Sequence, residues 1–137
     1  LRIYNLHLES VRINVKDTLF TKRNSQKFIN RITDVIKKQE VQMAEFEKID
    51  KNNLHPSIIC TDLNNNAFSK INNGIKNNRI DAFTIAGNGL GGTYNLGYFP
   101  FRIDFIFFDP RMEIISFNTH NINLSDHKPL SAVLRWK

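Results

Sequence analysis

The sequence predicts an α/β domain in which one mixed, mainly antiparallel sheet carries helices on one face. Residues 1–8 alternate apolar and polar side chains, which is typical of a strand. Residues 25–48 repeat apolar side chains at three- and four-residue intervals, which is typical of a long amphipathic helix. From residue 102 onward the pattern favours strands. A strand, a long helix and then a run of strands indicate helices packed on a sheet.

The first strand and the long helix have different boundary signals. The strand over 1–8 begins without a leading turn, which suggests a segment of a larger domain. Asn24 and Ser25 can cap the helix, which runs to about Lys48. Pro56 then precedes a short apolar strand over 57–61, and polar residues follow at its C-terminal end.

The second half of the chain contains weaker helices and then strands. Residues 67–78 are weakly helical, and residues 80–83 begin another short helix ahead of a glycine-rich segment. A strand over 102–108 is expected to pair in a hairpin with residues 112–117. Residues 129–136 form the last predicted strand.

The composition indicates a single soluble domain and excludes several classes of protein. The chain has 137 residues, of which 41% are hydrophobic, within the ordinary range for a folded domain. No apolar run approaches the roughly 18 residues of a membrane-spanning helix, and the first residues lack the layout of a signal peptide. Cys60 is the single cysteine, which excludes a disulfide framework and favours a reducing compartment such as the cytoplasm.

The net charge of +6 predicts an anionic partner, with nucleic acid as one candidate. The basic residues are scattered along the chain, however, and solvated helix faces show the same pattern.

Polar residues that can carry chemistry fall at four predicted strand ends: Asn5/His7, Asp62/Asn64, Asp104 and Asp126/His127. Asp oxygens suit a hard divalent cation, and His can move protons to or from water or a phosphate oxygen. This set therefore favours metal-assisted cleavage of a phosphoester.

Each cluster also has a purely structural alternative. His7 can be a satisfied strand histidine, and Asp62-Leu63-Asn64 can be an Asx turn. Asp104 can be a buried acid paired with Arg102, and Ser125-Asp126 can cap a turn or helix.

The chain resembles the C-terminal half of the endonuclease/exonuclease/phosphatase superfamily, which has the deoxyribonuclease-I-like fold. Four segments carry the resemblance, in the family's order: Asn5-Leu6-His7-Leu8-Glu9-Ser10, Thr61-Asp62-Leu63-Asn64, Arg102-Ile103-Asp104-Phe105-Ile106 and Ser125-Asp126-His127-Lys128-Pro129. The resemblance implies that residues 1–137 form half of a four-layer α/β/β/α sandwich, with the N-terminal half absent.

The resemblance also implies a role for each site residue. His127 would be the general base that activates the attacking water, and Asp104 would orient its imidazole. Asp126 would be a ligand of Mg²⁺, for which Mn²⁺ can substitute, and Asp62 would position the water or a second metal ion. Asn64 would donate to the phosphoryl oxygen as charge develops there.

Two further residue groups are expected to contact the substrate. His7 would contact the scissile phosphate and assist the leaving group. The glycine-rich segment is followed by Tyr94, Tyr98 and Phe99. In the functional interpretation these rings stack on a base or line a lipid or sugar pocket. In the structural alternative they belong to a connector whose aromatic rings fold into the core.

Two departures from the family pattern have consequences. Thr61 stands where the family usually has Gly. The family's metal-binding Glu belongs to the N-terminal half, so this chain is expected to be weakly active or inactive by itself. Half of the sandwich would also leave an apolar sheet face uncovered, and a second copy of the chain is a candidate to cover it.

The sequence thus predicts a Mg²⁺-dependent phosphoester hydrolase that acts on a phosphodiester or phosphomonoester. The rival hypothesis is a non-catalytic module that presents a basic face to nucleic acid or protein.

Overall fold

The computed structural model describes residues 1–11, 22–96, 99–122 and 124–137. The helices are α1 (Lys22–Lys51), α2 (Lys70–Lys76) and α3 (Ala82–Ala86). The strands are β1 (Arg2–His7), β2 (Ser57–Asp62), β3 (Ile80–Asp81), β4 (Tyr94–Leu96), β5 (Phe99–Phe101), β6 (Asp104–Phe108), β7 (Met112–Thr119) and β8 (Leu130–Trp136).

A mixed four-stranded sheet with the order β1-β2-β6-β3 forms the centre of the molecule. β1 runs parallel to β2, and β6 runs antiparallel to both β2 and β3. β2 and β6 are central strands with apolar residues on both faces, as expected for strands that are covered on both sides. The predicted α/β class with a mixed sheet is confirmed.

The long helix α1 and the short helix α2 pack on one face of this sheet. α1 buries Val35, Gln39 and Phe46, whose spacings of four and seven residues are about one and two helical turns and place them on one stripe. Phe105 and Phe107 of β6 point toward this face and stack with ring centroids 5.4 Å apart. The core on this side comprises Leu8, Phe46, Ile59, Leu63, Ile71, Ile75, Phe105 and Phe107.

The opposite face of the sheet is covered by α3 and by a two-stranded ribbon of β7 and β8. Its core comprises Ala82, Ile106, Phe108, Met112 and Phe117. α3 therefore lies on the face opposite α1 and α2, whereas the sequence placed the helices on one face. At β1, Ile3 stays 65% exposed. The apolar face that the sequence predicted to be uncovered is covered over β2 and β6 and open at β1.

The predicted hairpin between residues 102–108 and 112–117 is wrong. Both edges of β6 are already hydrogen-bonded, one to β2 and the other to β3. β7 instead pairs with β8, with Thr119 opposite Leu130 and Met112 opposite Trp136. Burial of Met112 and Phe117 against the face of the sheet stabilises this ribbon in place of edge pairing. β4 and β5 form a second ribbon that the sequence did not predict.

None of the helices in the described ranges is both long enough and apolar enough to cross a membrane.

Candidate active site

Three polar side chains form a row across the sheet at one of its ends. His7 and Asp62 close the parallel strands β1 and β2, and they are partners in the register. Asp104 begins the antiparallel strand β6 and is the partner of Asp62. Partner residues on neighbouring strands share a face of the sheet, so the three side chains lie side by side. Sheet topology thus brings together residues that are 97 positions apart.

His127 joins this row from the loop before β8. Its Nδ1 lies 2.9 Å from Oδ2 of Asp104, and its Nε2 lies 4.0 Å from Oδ2 of Asp62. An ionised carboxylate can only accept, so Nδ1 carries the proton of this hydrogen bond, and in the neutral imidazole the lone pair is then on Nε2. The imidazole therefore presents a basic nitrogen on the side of Asp62.

The alternative in which Asp104 pairs with Arg102 is wrong. Arg102 donates from Nη1 to Oδ2 of Asp81 at 2.7 Å. Its guanidinium lies 4.6 Å from the ring centroids of both Phe83 and Phe105. Arg102 is thus held by Asp81 and by the two aromatic rings, and Asp104 is left to bind His127.

Asp62 and Asn64 form a local turn that belongs to the site. The backbone N–H of Asn64 donates to Oδ1 of Asp62 at 2.8 Å, and Asn64 has a positive φ of 47°, a conformation that Asn tolerates. Nδ2 of Asn64 donates to the carbonyl of Leu8 at 3.0 Å. The predicted Asx turn is therefore present, and it orients the same carboxylate that faces His127. One N–H of the Asn64 amide is used in bracing the loop after β1.

The pKa of Asp62 is raised above its ordinary value, first because burial disfavours the charged form and then because Asp104 lies nearby. The hydrogen bond from the N–H of Asn64 and the electrostatic attraction of His127 and His7 lower this pKa. Ionised Asp62 thus lies in a setting where additional positive charge would stabilise it.

His7 and Asp126 lie at the margin of the site. His7 is largely exposed, and its Nε2 lies 3.5 Å from Oδ2 of Asp62. Asp126 is exposed, and its Oδ1 accepts from the hydroxyl of Ser125 at 3.1 Å. The Ser125 hydroxyl also accepts from the N–H of His127 at 3.2 Å, so Ser125 caps the turn that carries the imidazole.

Asp62, Asp104 and His127 can each offer a ligand atom within 4.8 Å of the others, which makes them the candidate cation site among the described residues. Two carboxylates fit a hard divalent cation. Asp126 does not belong to this group as the side chains are placed. One oxygen of Asp104 is already engaged by His127, so Asp62 is the more available ligand of the two.

An open cleft of about 480 Å³ lies over the row. It is lined by Asn5, His7, Asp62, Asp104, His127 and Lys128. Tyr94 stands beside it, with its ring centroid 5.0 Å from that of His127. Tyr98 lies outside the described residues, and Phe99 is 73% exposed on β5.

The glycine-rich segment packs closely against its neighbours. A side chain on Gly91, which has a φ of +65°, would overlap the ring of Phe83, and one on Gly92 would overlap Pro100. These glycines let the chain approach α3 and β5 closely just before β4.

Sequence reasoning missed two buried polar residues that support the site. Gln39 donates to the carbonyls of Glu9 and Leu63, at 2.8 and 3.2 Å, and so ties α1 to the loops after β1 and β2. Its position within the apolar stripe of α1 was a signal that could have revealed it. Thr93 is fully buried beneath Asp104, and nothing in the sequence distinguishes it from the other threonines.

Comparison with known proteins places the fold. No family model and no curated protein matches the sequence. Solved structures do match. The mannosyl-6-phosphatase of Bacteroides thetaiotaomicron superposes with a TM-score of 0.60 at 16% identity, over 98% of this chain and 51% of that chain. An endonuclease/exonuclease/phosphatase family protein of the same organism gives 0.60 at 16% identity, over 96% and 47%. The human Nocturnin catalytic domain with bound sulfate gives 0.59 at 12% identity, over 96% and 46%.

These likenesses show that the chain has the fold of the endonuclease/exonuclease/phosphatase proteins, the deoxyribonuclease-I-like fold. The chain spans about half the length of the solved structures described above.

Proposed function

We propose that this chain carries the proton-transfer half of a metal-dependent phosphoester hydrolase. The observation that supports this most strongly is the pairing of His127 with Asp104 at 2.9 Å, with Nε2 turned toward Asp62 in an open cleft. A histidine held by a carboxylate beside a second carboxylate is suited to removing a proton from water. The proposed reaction is attack of that water on a phosphodiester or phosphomonoester.

In this proposal His127 takes the proton of the attacking water at Nε2. Asp104 fixes the tautomer through Nδ1 and stabilises the imidazolium that forms. Asp62, on the other side of Nε2, accepts a hydrogen bond from the same water and so orients it.

The remaining polar groups act on the phosphate. In the proposed reaction His7, which is exposed next to Asp62, contacts a phosphate oxygen and the leaving group. The free N–H of the Asn64 amide donates to the phosphoryl oxygen as negative charge develops. Tyr94, beside the imidazole, contacts the group attached to the phosphate.

Mg²⁺ is the proposed cofactor, with Mn²⁺ as a substitute. Asp62 would hold it, with Asp126 as the exposed carboxylate that can turn from Ser125 to join. Its chemistry, when bound, is to offset the charge of the phosphate oxygens. Among the described carboxylates of the site, Asp104 is engaged by His127 and Asp126 is exposed and bonded to Ser125, so we propose that this chain alone binds the cation weakly and turns over slowly.

Two partners are proposed with the reaction. The net charge of +6 favours a nucleic acid as the phosphoester. The open face at β1, where Ile3 is exposed, favours a second copy of the chain. Sedimentation at micromolar concentration tests the second point, since a monomer there would exclude the dimer.

The test is hydrolysis of bis(p-nitrophenyl) phosphate and of plasmid DNA with Mg²⁺ or Mn²⁺, at high protein concentration. His127→Ala is compared with His55→Ala, a matched control at an exposed position near the opposite end of β2. The same pair is made in any longer product of the gene.

Activity that is lost in His127→Ala and in EDTA, but kept in His55→Ala, supports the proposal. Activity that is unaffected by His127→Ala, or a complete lack of cleavage by every form of the protein, contradicts it. DNA that is retarded in a gel without being cleaved would favour the binding module.

A further inference from the structure

We infer that Thr93 is a positioning residue that sets the geometry between Asp104 and His127. Asp104 and His127 lie 23 positions apart in the chain, on β6 and on the loop before β8. Thr93 is fully buried between these two segments and hydrogen-bonds to both. The inference concerns the site described above, and its kinetic consequence rests on the proposed function.

The hydroxyl of Thr93 holds the start of β6. Oγ1 accepts from the backbone N–H groups of Ile103 and Asp104, each at 3.2 Å. The same hydroxyl donates to the carbonyl of Phe101 at 3.4 Å. A hydroxyl has one proton and two lone pairs, so its full hydrogen-bonding capacity is used. The backbone of Asp104 is thereby fixed directly beneath the carboxylate that binds His127.

The main chain of Thr93 holds the other partner. Its carbonyl accepts from the N–H of Lys128 at 2.7 Å, and the next residue, Tyr94, forms an antiparallel bridge with His127. Its own N–H donates to the carbonyl of Phe101 at 2.9 Å. One buried residue therefore fixes the backbone on both sides of the bond between Nδ1 of His127 and Asp104.

The chemistry of the threonine side chain makes the inference specific. Valine has the same shape but no hydroxyl, so Thr93→Val would leave the N–H groups of Ile103 and Asp104 buried without their acceptor. We expect the start of β6 to shift so that these groups reach water, which moves the Asp104 carboxylate away from the imidazole. Thr93→Ser keeps the hydroxyl and should keep the geometry.

The first readout is the NMR spectrum of the metal-free 137-residue chain, which does not depend on catalysis. The Nδ1–H proton of His127 is assigned as the imidazole signal that disappears in His127→Ala. We expect that signal to be present in the wild type and in Thr93→Ser, and to be lost in Thr93→Val. Thr93→Ala is the second variant, for use if Thr93→Val does not fold.

Thr61→Val is the matched control. Thr61 is also buried, but it lies on the face toward α1, and its hydroxyl has no hydrogen-bond partner among the described residues. The same substitution there should leave the His127 signal unchanged.

The second readout is kinetic, on whichever form of the protein turns over. Thr93→Val should lower kcat by about tenfold to a hundredfold, because a small misplacement of catalytic groups has an effect of that size. KM should stay within about twofold, since ground-state binding is not changed. Thr93→Ser should restore kcat.

The outcomes separate the two proposals. A His127 signal that persists in Thr93→Val or Thr93→Ala, or that is lost equally in Thr93→Ser, overturns the positioning role whatever the activity is. A wild-type chain that shows the signal and its loss in Thr93→Val, but cleaves no phosphoester in any form, retains the positioning role and refutes the proposed reaction.

Discussion

Replacing Asp104 with Asn tests the central contact of the site with little change in shape. The substitution removes one negative charge and keeps an oxygen that can accept from Nδ1 of His127. The effect on proton transfer can be calculated from the structure, because the two groups are 2.9 Å apart and their side chains are 20% and 27% exposed.

In the proposed reaction an imidazolium forms next to this carboxylate. Coulomb's law gives about 1.4 kcal/mol for unit charges at this separation with an effective dielectric constant of about 80, and about 3 kcal/mol with one of about 40. Since each 1.36 kcal/mol changes a rate tenfold, kcat should fall by about 10- to 100-fold from the loss of charge alone. An amide nitrogen turned toward Nδ1 would favour the wrong tautomer and lower kcat further.

The assay is the initial rate of bis(p-nitrophenyl) phosphate hydrolysis by Asp104→Asn, measured over a range of substrate concentrations to separate kcat from KM. Asp34→Asn, at an exposed position on α1, is the matched control for the same chemical change. A folded Asp104→Asn protein with wild-type kcat would refute the role of the carboxylate.

Three further results are expected. Asp62→Asn should raise Tm in EDTA at pH 7 and change it little near pH 3. The raised pKa of Asp62 stabilises the folded state below the ordinary pKa of 3.8, and this contribution is lost as the pH rises through the pKa of the folded state. An unchanged Tm at pH 7 would contradict this prediction. The same variant should weaken Mn²⁺ binding in calorimetry by about tenfold or more, and equal affinity would exclude this ligand. Asp50→Ala should lower the free energy of unfolding in urea by about 3 kcal/mol, because it removes the carboxylate that pairs at 2.6 Å with Arg79, whose side chain is only 9% exposed and, among the described residues, would keep only the Ser57 hydroxyl as a hydrogen-bond acceptor. Glu45→Ala, in the exposed pair with Lys48, should cost less than about 1 kcal/mol, and equal effects would be inconsistent with burial as the cause.

The tertiary pairing of strands could not be predicted as well as the strands themselves. The pattern of apolar residues and turn signals placed strands near residues 1–8, 57–61, 102–108, 112–117 and 129–136, and all five are present. Such a pattern is a local property, and it carries no information on which edge a strand will occupy. β6 lies between β2 and β3, so β7 was displaced onto the face of the sheet and paired with β8.

For the candidate site, the residue types and their positions at the ends of predicted strands could be identified from the sequence. His7, Asp62, Asp104 and His127 were all identified in this way, and the structure brings them together. Which groups touch was decided only by the tertiary structure. Asp104 binds His127 instead of Arg102, because Arg102 is held by Asp81 and by two aromatic rings. A bond between residues that are distant in sequence depends on the register of the strands and not on spacing along the chain.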